Sequence, residues 1–356
     1  MLKIKKFISL VTCSSTLLLS TNTYALWNSY LECYGRKTNG DVTSMWAQKD
    51  GSYYVVPGAW STINKTAMLV ADKSITPAFI RSLCVQNLKS DPTLKFVEAK
   101  VSTRRALTYT HDIWYTDNND TDSKINRVVA FGDSLSDNGN IYSYSLKTLP
   151  KNGYWQGRFT NGYTWVELLA QKLELPLINN AEGGAGSQFT NALMNIVPPA
   201  NFDEISSPLV GDYFFIPSIE RQVDNYLEFA NFYSNDNEQG QILFTMLIGG
   251  NDYLNNWHDP NMVTDSIRLS LERLIAIGGR HFLIPKFPDI SYTPRVQQQG
   301  AKAIADIRRK TVLHNAILEA QTKVIIDEYQ AKGITITVIM PNIDLEDVVK
   351  NQKNTI

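Results

Sequence analysis

From Ile125 onward, short apolar runs alternate with longer amphipathic stretches. The runs are "INRVVAF", "LPLIN", "QILFTMLIG", "HFLIP" and "ITITVIM". Between them lie "TWVELLAQKLEL", "SIERQVDNYLEFANFY", "VTDSIRLSLERLIAIG" and the long "AIADIRRKTVLHNAILEAQTKVIIDEYQAKG". A continuous apolar run suits a strand buried on both faces, whereas apolar positions three and four apart form one stripe of a helix. Their alternation predicts an α/β domain over residues 125–356, a parallel sheet covered by helices. In such sheets the chemistry collects beyond the carboxyl ends of the strands. That directs attention to Gly132 onward, Asn180 onward, Gly249 onward and the residues after Met340.

The pattern before Ile125 is different. Residues 26–115 are rich in aromatics and β-formers, as in "GSYYVVPGAW" and "KFVEAKVSTRRALTYTHDIWY", and glycines and prolines break them into short pieces. This predicts a small β-rich domain with one helix near Pro77–Leu88. Residues 116–124, "TDNNDTDSK", are polar turn-formers and read as a linker.

Residues 1–25 read as a secretion signal. Lys3, Lys5 and Lys6 precede an apolar stretch from Phe7 to Leu19, and Thr23-Tyr24-Ala25 offers a small-residue cleavage site. Removal of the signal takes the formal charge from −1 to −4. Neither value suits a protein that relies on a broad basic face, so no nucleic-acid partner is expected. No later apolar run is long enough to cross a bilayer. Removal also deletes Cys13 and leaves Cys33 and Cys84 in an exported chain, where pairing is the natural reading. A disulfide closing that loop contributes up to ~4 kcal/mol in the chain-entropy model. A zinc site would need ligands that two cysteines without nearby histidines do not supply. No cluster of residues implies a metal or a cofactor.

Three strand ends carry candidate chemistry. At the first, Gly132-Asp133-Ser134-Leu135 turns out of a strand into what reads as a helix, with Ser134 at the sheet edge. Ser134 there is a nucleophile or, with Asp133, an N-cap; the turn alone allows both. At the second, "NNAEGGAGS" places adjacent glycines where a backbone N–H can be exposed, as would an ordinary βα turn. At the third, "GGND" offers the Asn251 amide as a donor to an oxyanion, beside Asp252.

Taken in order, "FGDSLSDNGN", "AEGGAG" and "GGND" resemble the blocks of the GDSL (SGNH) lipases and esterases, and "GRFTNGYTW" matches a stretch of the phospholipid-cleaving members. The resemblance implies a flavodoxin-like three-layer α/β/α fold. It implies Ser134 as nucleophile, with Gly184 (Gly183 competing) and Asn251 completing the oxyanion hole. The N-terminal region is similar to that of the thermolabile haemolysins, secreted phospholipases of this group. Hydrolysis of acyl esters in glycerophospholipids at a membrane surface, or transfer of the acyl group, is what the likeness implies.

One family block has no counterpart. The catalytic histidine normally follows the fifth strand in Asp-x-x-His, and none of His111, His258, His281 and His314 has Asp three positions earlier. The 16 residues after Met340 hold no such block, so the hydrolase domain reads as C-terminally incomplete and the chain as nearly inactive. A sheet face left without its last helix would also expose apolar surface. His258, near Asn251, is the substitute base to consider, although it would approach Ser134 from the wrong side. The rival functions are a carbohydrate acetylesterase and a catalytically dead lipid-binding protein whose aromatics, Trp27, Tyr30, Tyr34, Tyr53, Tyr54 and Trp60, form an interfacial patch rather than a core.

Overall fold

The computed structural model describes residues 29–63, 66–71, 75–103, 113–114, 125–144, 148–150, 153–188, 216–233 and 239–341. The expected signal, the linker and His111 lie outside them.

Five parallel strands carry the second half of the molecule: β9 (Arg127–Gly132), β10 (Leu177–Asn179), β11 (Ile242–Leu247), β12 (His281–Pro285) and β13 (Thr335–Ile339). Their order across the sheet is β10-β9-β11-β12-β13. Relative to the chain this is 2-1-3-4-5, the flavodoxin-like order, whose switch point lies between the first and third strands. Here that point falls between β9 and β11, which pair in register from Ile242↔Arg127 to Leu247↔Gly132.

The apolar run of β9 is explained by the layers it separates. Val128 and Ala130 pack with Val166 and Ala170 of helix α3 (Trp165–Leu173), which follows α2 (Asn140–Tyr144). Val129 and Phe131 face the opposite layer. That layer is built from α4 (Ile219–Tyr233), α6 (Pro260–Ala276) and α8 (Ala301–Glu328), with the short α5 (Gly250–Asn255) and α7 (Pro294–Gln297) between them. The amphipathic stripes have the expected spacing: in α4, Ile219, Val223, Tyr226 and Ala230 are all buried. At the outer strand β13, Ile336 and Val338 turn to the core, while Thr335, Thr337 and Ile339 are exposed. Two of the three exposed side chains are threonines, so the open face is less apolar than its strand pattern suggests.

The N-terminal part is β-rich, as expected, but its main sheet is not separate. Strands β1 (Ser29–Arg36), β2 (Val42–Trp46), β7 (Lys95–Thr103) and β8 (Ile113–Trp114) are antiparallel, and β8 pairs with β10 through Ile113↔Leu177. One nine-stranded sheet therefore runs through both parts. Two hairpins, β3 (Gln48–Lys49) with β4 (Ser52–Tyr53) and β5 (Gly58–Ile63) with β6 (Thr66–Ala71), lie outside it.

One face of β1 buries Leu31 and Cys33 against helix α1 (Pro77–Leu88), where Ile80, Cys84 and Leu88 complete the core. Cys33 and Cys84 form a disulfide, with Cα atoms 5.3 Å apart. Of the N-terminal aromatics, Tyr30 packs edge-on against Trp46 and Tyr53, and Tyr54 packs on Phe79. Trp27 lies outside the described residues.

The opposite face of β1 and β7 meets the segment before α3 through charge. Arg158, fully buried, forms a two-pronged ion pair with Glu167 and lies 3.7 Å from Glu98 of β7. Its guanidinium stacks over Trp155 at 4.5 Å and Tyr163 at 5.6 Å. Burial draws the Glu98 carboxyl upward, whereas the Arg158 charge holds Glu167 below the usual range.

Candidate active site at the switch point

The loops after β9, β10 and β11 begin side by side at the end of the sheet. Gly132 closes β9 at φ +155, and a Cβ there would meet the Leu247 carbonyl oxygen at 2.6 Å, so only glycine fits. Gln222 of α4, buried, clamps it from both sides: it accepts the Gly132 N–H at 2.9 Å and donates to the Gly132 carbonyl at 2.8 Å.

Beyond Gly132 the chain makes one tight turn. The Asp133 carbonyl accepts the N–H groups of Ser136 and Asp137 at 3.0 Å each, and the Asp133 side chain accepts that of Leu135 at 3.0 Å. Ser134 sits in this turn, half-buried. The expected direct passage into a helix does not occur, because α2 starts only at Asn140. The reason is Asp137. Its carboxylate accepts the N–H groups of Gly139 (2.8 Å), Asn140 (2.6 Å) and Ile141 (3.1 Å), which makes it the N-terminal cap of α2. The helix dipole is thereby answered at Asp137 rather than at Ser134.

The second loop is stitched to the first. Asn140 donates to the carbonyls of Asn179 (2.8 Å) and Ala181 (2.7 Å), and Asn179 donates to that of Ser136 (2.7 Å). Asp137 Oδ2, which also takes the Ile141 N–H, accepts the Gly183 N–H at 2.8 Å. Gly184 lies in the next position at φ +91, a conformation that suits glycine. Among the described residues, no acceptor takes the N–H of Gly184 or of Ser134.

The third loop closes over the second. Asn251, in the first turn of α5, donates its side-chain N–H to the Ala185 carbonyl at 2.8 Å. Asp252, fully buried, accepts the Ser187 N–H (3.0 Å), the Ser187 hydroxyl (2.7 Å) and the His258 ring Nδ1 (2.6 Å). The structure thus brings the loops of Ser134, Gly184 and Asn251 together through named hydrogen bonds. Their floor is acidic. Burial pushes Asp133 up to about 7 and Asp137 up to about 6, and it raises Glu182 well above its usual range.

The described histidines are engaged elsewhere. His258 is bound to Asp252, and His281 Nδ1 lies 2.9 Å from the Thr335 hydroxyl. His314 is buried 2.6 Å from the Tyr253 hydroxyl, and burial lowers its pKa to about 3. Four residues that hold the site, Gln222, Asn140, Asn179 and Asp137, were not singled out from the sequence. Each is a buried polar residue next to a strand end or inside an apolar stripe, which is the signal that could have found them.

Comparison with known proteins shows the family. The model of the GDSL-like lipase/acylhydrolase family matches residues 128–347. The thermolabile hemolysin of Vibrio parahaemolyticus is 30% identical over 322 residues, covering 87% of this chain and 68% of that protein. The secreted effector protein SseJ of Salmonella typhimurium is 31% identical over 211 residues, covering 58% of this chain and 45% of that one. The phosphatidylcholine-sterol acyltransferase of Aeromonas hydrophila is 30% identical over 206 residues, covering 56% and 55%. The chain thus spans about two thirds of the first relative and about half of the other two. On these matches and this fold, the chain belongs to the GDSL-like lipase/acylhydrolase family.

Proposed function

We propose that the protein is a secreted serine ester hydrolase that cleaves acyl esters of glycerophospholipids through an acyl-enzyme on Ser134. The Ser134 oxygen attacks the ester carbonyl carbon while its proton passes to a base from solution, which returns it to the leaving alcohol, and the carbonyl oxygen takes up the negative charge. The Ser134 N–H, the Gly184 N–H and the Asn251 amide donate to it. Collapse expels the lysolipid alcohol, and water or a second alcohol then takes the acyl group, giving hydrolysis or transfer.

One observation carries this reading: the Gly183 N–H is already bound to Asp137, while those of Ser134 and Gly184 have no acceptor among the described residues. This favours Gly184 over Gly183 as the oxyanion donor. The lipid substrate is supported by relatives named as a hemolysin and a phosphatidylcholine-sterol acyltransferase. Secretion is supported by the pattern of residues 1–25 and by the Cys33–Cys84 disulfide, which belongs in an oxidising compartment.

The test is hydrolysis of a p-nitrophenyl ester by the wild type and Ser134→Ala, with and without added imidazole. The reading requires a Ser134-dependent rate. Acceleration by imidazole supports the expectation that no internal histidine serves Ser134, and an unchanged rate counts against it. Comparing phosphatidylcholine liposomes with an acetylated glycan then separates a phospholipase from a carbohydrate acetylesterase.

A further inference from the structure

Asp252 has no role in the chemistry just described, yet it is among the most heavily bonded side chains near the site. Its carboxylate is fully buried and has no lysine or arginine partner among the described residues. Its donors are the backbone and hydroxyl of Ser187 and the Nδ1–H of His258. A carboxylate offers about four lone-pair sites, so this set comes close to saturating it.

What those donors connect is specific. Ser187 lies three residues after Gly184, and Asp252 directly follows Asn251. The Asn251–Ala185 bond at 2.8 Å is one tie between the two segments, and Asp252–Ser187 is the second. A single hydrogen bond leaves the short helix α5 free to pivot about it; two bonds, from the adjacent Asn251 and Asp252 to Ala185 and Ser187, do not. Trp257 reinforces the second tie. Its N–H donates to the Asp252 carbonyl at 2.9 Å, and its ring lies 3.3 Å from where a Cβ on Gly186 would be. His258 supplies the remaining donor from the loop that follows.

We infer that Asp252 is a positioning residue: through Ser187 and His258 it holds the Asn251 amide and the Gly184 N–H in one oxyanion-binding geometry. The inference rests on the acyl-transfer reading for its catalytic consequence, but not for its structural one. His258 acts here as an N–H donor, not as a base.

The experiment uses the full chain with Asp252→Asn, Ser187→Ala, His258→Ala and His258→Asn. The readouts are ester kinetics and amide hydrogen exchange of the 183–188 segment. Asp252→Asn lowers kcat by roughly 10- to 100-fold, less than the loss of a whole oxyanion donor, with KM changed less than about twofold. It also speeds exchange of that segment. His258→Ala lowers kcat severalfold, and His258→Asn restores most of it because the amide N–H replaces Nδ1–H. If Asp252→Asn does not fold, Ser187→Ala, which removes one hydroxyl, must show the same faster exchange. Unchanged exchange overturns the inference. So does a loss confined to KM, or His258→Asn being as slow as His258→Ala. If Ser134→Ala leaves hydrolysis untouched, the acyl-transfer reading fails instead, and the exchange measurement still decides the role of Asp252.

Discussion

The Asp137 carboxylate accepts the Gly183 N–H at 2.8 Å while capping α2 through three further N–H groups. One buried side chain thus joins the serine loop to the glycine loop. Replacing it leaves several buried donors unanswered, each costing about 1–3 kcal/mol. Asp137→Ala is therefore expected to destabilise the fold by about 3 kcal/mol or more and to lower the rate at Ser134. Urea unfolding checks the first effect, and ester hydrolysis the second.

Stability should depend on pH through Asp133 and His314, in opposite directions. Burial raises Asp133 to about 7, so its favourable contribution is complete below about pH 4 and is lost as pH rises through 7. Asp133→Asn should gain on the wild type over that window, by up to about 1.4 kcal/mol per pH unit. His314 is lowered to about 3 by burial, so its contribution is present above about pH 6.5 and is lost as pH falls. His314→Gln should gain on the wild type towards acid. Urea midpoints from pH 4 to 8 test both, and parallel curves would contradict them.

Arg158 is buried between Trp155 and Tyr163 with Glu167 and Glu98 as its anions. Arg158→Met strands buried carboxylates, a loss of roughly 3–5 kcal/mol. A change below about 1 kcal/mol in the unfolding free energy would show that the charged seam contributes little, as exposed pairs do.

The Cys33–Cys84 bond pins α1 to β1 across a separation of 51 residues. Reduction, or paired replacement by serine, should cost about 2–4 kcal/mol. Chemical denaturation with and without reductant measures it.

The parts of this molecule that follow from periodicity were legible in its sequence. The apolar run at Val128–Phe131 and the stripe of Ile219, Val223 and Tyr226 each report burial directly. The α1 span was legible too, because Pro77 suits a first turn and the apolar spacing runs to Leu88. Ser134, Gly184 and Asn251 could be named as candidates because short blocks at strand ends carry them. The bonds that hold those blocks in place could not. Asp137 to Gly183 spans 46 positions and Gln222 to Gly132 spans 90, and no local pattern records either. The β8–β10 pairing that merges two sheets was hidden for the same reason, since it rests on one register pair, Ile113↔Leu177.

The central claim is that Ser134 is the nucleophile. Its most direct test is covalent labelling with a fluorophosphonate, with imidazole added as the base and the modified residue located by peptide mass spectrometry. The account predicts a single adduct on Ser134, absent in Ser134→Ala and in protein unfolded before labelling. An adduct on another residue, or none on folded protein that remains intact throughout, would contradict it.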